Sequence, residues 1–169
     1  TLDYEVTFVD PNFESCLITN YPPLLNDNNK VSARAASKYP ALLDVSGQSI
    51  SSLKGIELFA SITSLNCSSN YLSTLDLSAN TKLMNINCAD NLLTQLDFDG
   101  NVDLEIVRCS NNNLEELDMS NNVSLVELYC ANNTALNKLI VRSNSSLEKL
   151  DCSVSALSEL NLFGCPALR

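Results

Sequence analysis

The sequence contains no histidine and no tryptophan, and its aromatic residues make up 6% of the chain. Without histidine, the chain lacks the commonest general base and the commonest metal ligand of proteins. Glycine and proline are also scarce, with 4 and 5 residues, so the composition is that of an ordered globular protein. A hydrophobic core must therefore be filled mainly by leucine, isoleucine, valine and cysteine.

Positive charge is scarce as well. The chain has 10 lysine and arginine residues against 20 aspartate and glutamate residues, which gives a formal net charge of −10. Nucleic acids and anionic membrane surfaces require clustered cations, so neither is an expected partner. No apolar run approaches the roughly 20 residues of a membrane-spanning helix, so we expect no membrane insertion by this segment. Residue 1 is threonine rather than methionine, and we expect that an N-terminal signal was removed before it.

One sequence phrase organises most of the chain, and it occurs twice in residues 83–104. The first copy reads L-x-x-I-x-C-x-x-N-x-L and the second reads L-x-x-L-x-F-x-x-N-x-x-L, so two phrases make a unit of 21 residues. The phrase begins at Ile62, Leu72, Leu83, Leu93, Leu104, Leu114, Leu125, Leu136, Leu147, Leu157 and Leu168. Its steps alternate between 10 and 11 residues until Leu125, after which one extra residue is inserted. An insertion is cheap in a loop and disruptive in a strand, so it marks a turn.

Each phrase contains a tripeptide in which two apolar residues flank a polar one, as in residues 65–67 and 75–77. Alternation over so short a span predicts a strand with two residues facing inward and one facing outward. Because both halves of the unit carry the tripeptide, we expect two short strands in each coil and two parallel sheets in the stack. A single coil buries too little surface to be stable, so about five units in residues 62–169 must stack on one another.

Residues 1–61 do not follow the repeat and are predicted to form an N-terminal cap with short helices and a degenerate first repeat. Asn12 is placed to cap a first helix, and Ser32 is placed to cap a second helix that Pro40 ends. Residues 43–45 carry a first, degenerate strand. The cap is expected to shield the open end of the stack.

Residues 26–36 within this cap faintly resemble a calcium-binding loop of the EF-hand or dockerin type. Asn26 and Asn28 fall on ligand positions, whereas Leu24 occupies the place of the first aspartate and Ala35 that of the bidentate glutamate. Because two carboxylate ligands are missing, a turn followed by a helix is favoured, and no metal is predicted there.

A file of cysteines recurs in the first halves of successive units, with a regular spacing that would suit a metal or redox site. Its members are Cys67, Cys88, Cys109, Cys130 and Cys152, and the equivalent positions of the second halves hold Leu77, Phe98, Met119, Val141 and Leu162. A position shared with phenylalanine and methionine is a core position, and free cysteine is among the most buried residue types. We therefore predict buried free thiols, no cofactor and no disulfide framework, with Cys16 and Cys165 outside the file.

Two files of asparagine and one of aspartate also follow the repeat. The asparagines are Asn70, Asn91, Asn112 and Asn133 in one file and Asn80, Asn101, Asn122 and Asn144 in the other. Each lies where the chain turns inward, so its amide is predicted to bond the backbone of its own turn and of a neighbouring coil. Asp76, Asp97 and Asp118 face outward and could hold calcium or a basic partner. Their recurrence favours a structural role through bonds to backbone N–H groups.

The phrase L-x-x-L-x-[LC]-x-x-N-x-L resembles that of leucine-rich-repeat proteins. Residues 72–83 (L-S-T-L-D-L-S-A-N-T-K-L) and 114–125 (L-E-E-L-D-M-S-N-N-V-S-L) are similar to the nested, IRREKO-type subclass with 21-residue repeats. Residues 50–65 are similar to the segment with which internalin-like proteins of Bacteroidetes begin their arrays. The resemblance implies a leucine-rich-repeat solenoid, a right-handed coil of mostly β and irregular structure with short parallel strands on both sides of each turn. It also implies a bacterial recognition protein without catalytic activity, secreted or attached to the cell surface.

The outward positions of the first-half strands vary from coil to coil. They hold Ser64, Asn66, Asn85, Asn87, Ile106, Arg108, Glu127, Tyr129, Lys149 and Asp151. Exposed arginine and tyrosine are enriched among the residues that carry binding energy at protein interfaces. We therefore predict a partner-binding site at Ile106, Arg108, Glu127, Tyr129 and Lys149. An ordinary solvated sheet surface is the alternative.

Two binding functions remain open from the sequence. The first is recognition of a protein through the first-half sheet, and the second is recognition of a glycan, for which only Tyr129 and Tyr71 offer exposed aromatic platforms. An enzyme is not expected, because the chain has no histidine, no glycine-rich phosphate loop and no carboxylate pair that stands apart from the repeat.

The last coil raises a separate question. Leu160, Leu162 and Leu168 are predicted to face an open end of the stack with unpaired strand edges. We expect an end-to-end homodimer or a further C-terminal domain to cover this end.

Overall fold

The computed structural model describes residues 4–169 of the chain. It contains two α-helices, α1 (Pro11–Asn20) and α2 (Ala33–Lys38), and two 3-10 turns, Pro22–Leu24 and Ile56–Leu58. The strands are β1 (Leu42–Asp44), β2 (Ser64–Asn66), β3 (Asn85–Asn87), β4 (Ile106–Arg108), β5 (Glu116–Asp118), β6 (Glu127–Tyr129), β7 (Lys138–Ile140) and β8 (Lys149–Asp151). The predicted solenoid of about five turns with short parallel strands is therefore confirmed.

Six of the strands form one parallel sheet, in the order β1-β2-β3-β4-β6-β8. The middle residues pair in register as Leu43, Leu65, Ile86, Val107, Leu128 and Leu150. All of them except Leu150 are buried, and the residues on either side face outward. We call this sheet the first sheet. Its strand pairing holds the first halves of successive coils in the same orientation.

The second side of the coils differs from the prediction, because strands form there in two coils and not in all of them. β5 and β7 pair with each other, and their middle residues Leu117 and Leu139 are 1% and 8% exposed. The same tripeptide around Leu75 and Leu96 forms no strand, and these two leucines remain half-exposed. The physical reason is that backbone pairing in the first sheet holds all the coils about 4.8 Å apart on that side, whereas on the opposite side only β5 and β7 pair and the other coils can separate.

Both asparagine files bond backbone carbonyls as predicted. In the first file, the Asn91 Nδ2 donates to the carbonyls of Cys67 and Cys88, both at 3.1 Å, and its Oδ1 accepts from the N–H of Leu72 at 3.0 Å. In the second file, the Asn101 Nδ2 donates to the carbonyls of Leu77 and Asn80 at 3.1 and 2.9 Å. These bonds join each turn to the preceding coil and satisfy carbonyl groups that water does not reach.

The last coil replaces both asparagines. Cys165 occupies the place of the second file, and its thiol donates to the carbonyl of Val141 at 3.0 Å. Ser155 stands where the first file would continue. Gly164 precedes the cysteine with a φ of +95°, and a Cβ there would clash with the carbonyl oxygen of Arg142. Cys165 therefore lies outside the cysteine file, as predicted, but serves as a hydrogen-bond donor of the ladder.

The first helix begins at Pro11, two residues earlier than predicted, because its cap is Asp10 rather than Asn12. The Asp10 Oδ1 accepts from the N–H groups of Asn12 and Phe13 at 2.8 and 3.2 Å. Its Oδ2 accepts from the N–H and the hydroxyl of Ser51, both at 2.7 Å. Pro11 fits the first helical position, where no N–H bond is needed. A single carboxylate thus caps α1 and ties it to the first turn of the coils.

The second helix and the degenerate strand agree with the prediction. The Ser32 Oγ accepts from the N–H of Ala35 at 3.0 Å, and α2 ends at Lys38, two residues before Pro40. β1 then forms inside the region predicted as the cap and pairs with β2. The division into residues 1–61 and 62–169 remains a proposal, since β1 belongs to the same sheet as the array.

Two tyrosines of the N-terminal region bond the free edge of β1. The Tyr21 hydroxyl accepts from the N–H of Asp44 at 2.6 Å and donates to the Asp44 carbonyl at 2.8 Å. The Tyr39 hydroxyl donates to the carbonyl of Leu42 at 3.1 Å, and the two rings meet edge to face at 5.8 Å. An unpaired strand edge is a template for aggregation, and here side-chain hydroxyls occupy its backbone groups.

We expect Tyr21→Phe to lower the free energy of unfolding by about 1 kcal/mol, because it removes two hydrogen bonds to β1 and leaves the ring in place. Urea denaturation followed by circular dichroism measures the change. Tyr39→Phe is the matched control and removes one bond, so its effect should be smaller. Equal stability of the Tyr21→Phe variant and the wild type would contradict this role.

The turns after β2, β3, β4, β6 and β8 each contain one residue in the left-handed region. These residues are Ser69, Asp90, Asn111, Asn132 and Val154, with φ between 54° and 57°. Serine, aspartate and asparagine tolerate this conformation, whereas a β-branched residue is strained in it. The last coil therefore carries local strain at Val154.

Val154→Asn should raise the free energy of unfolding by about 1 kcal/mol, because asparagine relieves the left-handed strain. The reciprocal change Asn132→Val, at the same position of the preceding coil, should lower it by a similar amount. Thermal and urea unfolding of both variants give the answer. A loss of stability in Val154→Asn would show that the valine is held by contacts outside this turn.

Candidate binding surface

The outward residues of the first sheet form two straight rows. Strand register places Ser64, Asn85, Ile106, Glu127 and Lys149 in one row and Asn66, Asn87, Arg108, Tyr129 and Asp151 in the other. Neighbouring strands of a sheet lie about 4.8 Å apart, so residues of adjacent coils touch within a row. The structure therefore brings all five sequence-predicted site residues together on β4, β6 and β8.

In four coils, the residue that ends the first-sheet strand accepts a hydrogen bond from the backbone N–H two residues later, which starts the turn. The side-chain oxygens of Asp44, Asn66, Asn87 and Asp151 accept from the N–H groups of Ser46, Ser68, Ala89 and Ser153 at 3.0, 3.3, 3.2 and 3.0 Å. Only short side chains with an oxygen two bonds from Cβ make this turn. Arg108 and Tyr129 interrupt the row in two adjacent coils and give up the bond. The pattern is thus broken at the position of the predicted site.

The Glu127 carboxylate is the centre of the predicted site. It accepts from Lys149 Nζ at 2.7 Å, from the Tyr129 hydroxyl at 3.2 Å and from Arg108 Nη2 at 3.5 Å. The bond from Lys149 lowers the pKa of Glu127, helped by the bond from Tyr129 and by the charges of Lys149 and Arg108. The carboxylate is therefore ionised throughout the neutral range, and it raises the pKa of Lys149 in turn.

Arg108 also lies over the face of the Tyr129 ring, with its guanidinium carbon 5.2 Å from the ring centroid. This is within the range of a cation–π interaction. Exposed ion pairs contribute little to stability, so the value of these contacts lies in orientation. They hold an arginine and a tyrosine in fixed positions on the surface.

Ile106 lies beside Glu127 in the same row and extends the site toward the middle of the sheet. Met84, whose carbonyl accepts from the N–H groups of Glu105 and Ile106, is 37% exposed at the flank of the sheet. The surface therefore offers apolar area next to the charged contacts. Apolar and charged side chains thus lie side by side on this part of the first sheet.

A second surface feature was not predicted from the sequence. It is a groove of about 520 Å³ on the side of the coils opposite the first sheet, where Leu75 and Leu96 line it next to residues of β5 and β7. Its walls carry the carboxylates of Asp76, Asp97, Glu116 and Asp118 and one lysine, Lys138. We call it the second-side groove. The outward file of Asp76, Asp97 and Asp118 is recognisable in the sequence, but the hollow between them is not, because the tripeptide at Leu75 and Leu96 matches the one that forms β5.

The structural role predicted for the aspartate file is confirmed. The Oδ1 atoms of Asp76, Asp97 and Asp118 accept from the N–H groups of Ser78, Asp99 and Ser120 at 3.0, 2.9 and 2.9 Å. Asn161 makes the same bond to Phe163 in the last coil, at 2.9 Å. Hydrogen bonds from Ser78 and Ser120 lower the pKa values of Asp76 and Asp118.

The cysteine file lies in the core, as predicted. Cys67, Cys88, Cys109 and Cys130 are buried, Cys152 is half-buried, and all seven cysteines are free thiols. Burial raises the pKa of Cys88 and of Cys130 to about 12 and holds those of Cys67 and Cys109 well above the ordinary value. A thiol of such high pKa stays protonated and is a poor nucleophile at neutral pH.

The described residues 4–169 contain no group of three or more cysteine, aspartate or glutamate side chains that could hold a metal ion. In the loop that faintly resembles a calcium site, the Asn26 Oδ1 instead accepts from the N–H groups of Asn28 and Lys30, both at 3.0 Å. Over the same residues, no helix has the length and apolar character needed to cross a membrane.

The fold is that of a leucine-rich-repeat solenoid, and its structural relatives are internalins and other leucine-rich-repeat proteins. The functional domain of InlJ from Listeria monocytogenes, which includes a cysteine ladder, is 30% identical to this chain with a TM-score of 0.71. The match covers 99% of this chain and 42% of that one. The internalin InlF from Listeria monocytogenes is 19% identical with a TM-score of 0.80, over 90% of this chain and 46% of that one.

A leucine-rich-repeat protein of Leptospira interrogans is 16% identical with a TM-score of 0.56, over 87% of this chain and 41% of that one. This chain thus spans less than half the length of these three structures. No protein-family model and no curated protein matches the sequence. The similarity supports a protein-binding repeat module as the general class of the molecule.

We expect the free energy of unfolding to fall between about pH 9 and pH 12. Unfolded thiols ionise near their ordinary pKa of 9.0, whereas the buried thiols of Cys88 and Cys130 keep their protons to about 12. Stability is therefore full below pH 9 and declines as the pH rises toward the folded-state pKa, by about 1.4 kcal/mol per pH unit for each thiol. Urea midpoints measured from pH 8 to pH 11 give the slope.

Cys88→Val is the matched control for this prediction, because valine occupies the equivalent core position at Val141. Lysine and tyrosine titrate in the same way in both proteins, so the difference in slope isolates the thiol. The free energy of unfolding of the variant should fall less steeply with pH, by about 1.4 kcal/mol per pH unit less than that of the wild type. An unchanged slope would mean that Cys88 is not desolvated.

Proposed function

We propose that the chain is a non-catalytic binding module that recognises a protein through Ile106, Arg108, Glu127, Tyr129 and Lys149. One observation carries the proposal. In the second row, where other coils have an aspartate or asparagine that accepts from the N–H two residues on, two adjacent coils have Arg108 and Tyr129 instead. Each of these coils gives up a stabilising turn bond, and the residues gained are types that carry binding energy at interfaces. A purely structural surface would have kept aspartate or asparagine there.

The contacts within the site fit a recognition surface that is ordered before binding. Glu127 fixes Lys149, Tyr129 and Arg108, and the Tyr129 ring supports the guanidinium. Ordering a flexible side chain on association costs about 0.5–1.5 kcal/mol, so side chains that are already fixed bind more tightly. A partner would place a carboxylate against the outer face of Arg108 and an apolar side chain against Ile106.

We also propose that the chain acts outside the cell, as a secreted or surface-attached protein of a bacterium. The internalin-like relatives and the absence of a membrane-spanning helix among residues 4–169 support this location. Glycan recognition is the alternative function. Tyr129 is held by Arg108 and Glu127, and Tyr71 is 60% exposed on a different part of the coil, so a sugar would find one ordered aromatic platform in the site.

The C-terminal coil supports a further contact. Phe163 is 86% exposed and Leu162 is 38% exposed, while Leu150, Leu157 and Leu160 are only partly buried against the core. We propose that an end-to-end homodimer or an additional domain covers this coil. Light scattering distinguishes a dimer from a monomer.

The triple variant Arg108→Ala/Tyr129→Ala/Lys149→Ala should weaken partner binding by about 30-fold or more, because it removes the ordered contacts of the site. Immobilised wild-type protein and variant are compared for retention of surface-exposed proteins from candidate host or bacterial cells. The partner retained by the wild type is then titrated against both by surface plasmon resonance. An unchanged dissociation constant for that partner would exclude this face.

The matched control is Leu42→Ala/Ser64→Ala/Asn85→Ala, which changes three outward residues of the same sheet outside the site. It should retain the partner, and both variants should unfold at urea concentrations close to the wild type. A glycan array decides the alternative function. Sugar binding that is lost in Tyr129→Ala, without any retained protein, would replace protein recognition by glycan recognition.

A further inference from the structure

We propose that the second-side groove binds an extended, basic segment of a partner protein. The groove lies on the face of the coils opposite the first sheet, and no residue of the Arg108–Tyr129 site lines it. The proposal is therefore independent of the binding function assigned to the first sheet. It assigns a ligand class to a surface whose residues would otherwise be only structural.

The floor of the groove is apolar because strand pairing is missing there. Where β5 and β7 pair, Leu117 and Leu139 are buried. At Leu75 and Leu96 the neighbouring backbones do not pair, and both leucines remain half-exposed in the hollow between coils. The groove volume of about 520 Å³ falls in the range of built ligand sites. An occupant with aliphatic side chains would remove this leucine surface from water.

The walls of the groove are strongly acidic. Asp76, Asp97, Glu116 and Asp118 line it against a single cation, Lys138, which is itself 3.1 Å from the Glu116 carboxylate. Each aspartate uses its Oδ1 to bond a backbone N–H two residues on, so the carboxylates are held in place. Lys138 pairs with Glu116, and the charges of Arg142 and Lys138 act on Asp118, so part of the acidic charge is compensated. The remaining excess of negative charge would be complemented by a cationic occupant.

The spacing of these groups suits an extended chain that crosses the coils. The aspartates recur once per coil, and an extended chain advances about 3.3 Å per residue with alternate side chains on opposite sides. One set of side chains can therefore lie on Leu75 and Leu96 while lysine or arginine residues reach the aspartates. A peptide that alternates aliphatic and basic residues has the required pattern.

A bound divalent cation explains the same carboxylates less well. The aspartates lie on successive coils, and no three acidic or thiol ligands of residues 4–169 converge on one point. A metal would also leave the accessible part of Leu75 and Leu96, which are only partly buried, without an apolar partner. The combination of an apolar floor and separated carboxylates is specific to a chain that carries both kinds of side chain.

The test uses fluorescence anisotropy of a labelled heptapeptide that alternates lysine and valine, at low and at physiological salt. The wild type should bind it, and Asp76→Asn/Asp97→Asn should weaken binding by about 2- to 30-fold, the loss expected for two exposed charge contacts. Asparagine keeps the turn bond, as Asn161 shows in the last coil, so the fold is preserved. A peptide with serine in place of valine should bind more weakly, because it cannot cover the leucines.

The control variant Asp27→Asn/Asp103→Asn changes the net charge by the same amount at exposed positions outside the groove. It should bind the lysine–valine peptide within about twofold of the wild type. Three results would each overturn the proposal: no binding to the wild type, equal losses in both double variants, or equal affinity for the serine peptide. Unchanged binding after Arg108→Ala/Tyr129→Ala/Lys149→Ala is expected, since the first sheet is not involved.

Discussion

The hydrogen bonds from asparagine amides to the carbonyls of the preceding coil are the constraint on which the rest of the structure depends. In each narrow coil the backbone turns inward at two places, and every carbonyl group buried at these turns needs a hydrogen-bond donor. Asn91 and Asn101 each supply two bonds from one amide and thereby join a turn to its neighbour. The Leu, Ile and Cys side chains can pack in registered layers only because these bonds fix the turns between them.

The same constraint decides where the chain can vary. The same residue types must recur at positions whose side chain bonds the neighbouring coil, adopts a left-handed turn or makes the bond that ends a strand. In the last coil these residues are replaced, but part of the bonding remains, because the Cys165 thiol donates to the carbonyl of Val141. Variation is tolerated at outward positions that carry no such bond, or where a bond is sacrificed. Arg108 and Tyr129 are the second case. The Arg108 guanidinium stacks on the Tyr129 ring and the Tyr129 hydroxyl donates to Glu127, so an ordered surface group replaces the turn bond.

Local repetition made the core, the ladders and the first sheet predictable. The comparison of Cys88 with Phe98 was enough to place the thiols inside, and both files of asparagine follow from the turns they occupy. The helix cap was predicted wrongly although a local signal existed, because Pro11 favours the first helical position and so points to Asp10 rather than Asn12 as the cap. Only the additional bonds from Ser51 to Asp10, about 40 residues away in the sequence, could not be predicted. The missing strands at Leu75 and Leu96 were also unpredictable, since their tripeptides match that of β5. Whether these tripeptides form strands depends on the distance between neighbouring coils, which the local sequence does not determine.

The two faces of the solenoid differ in their electrostatics, and this difference bears on how partners could bind. On the first sheet, Arg108 and Lys149 both pair with Glu127, and Asp151 lies next to Tyr129, so two positive and two negative charges are balanced within one cluster. On the second side, the groove is lined by four carboxylates and one lysine, Lys138, in a chain whose formal net charge is −10. Salt screens exposed charges over about 8–10 Å, so an acidic groove should respond to ionic strength more strongly than the balanced cluster. Because the coils between the two faces are packed and bonded, the two proposed sites lie on separate surfaces of different chemistry, and binding at one would leave the other accessible.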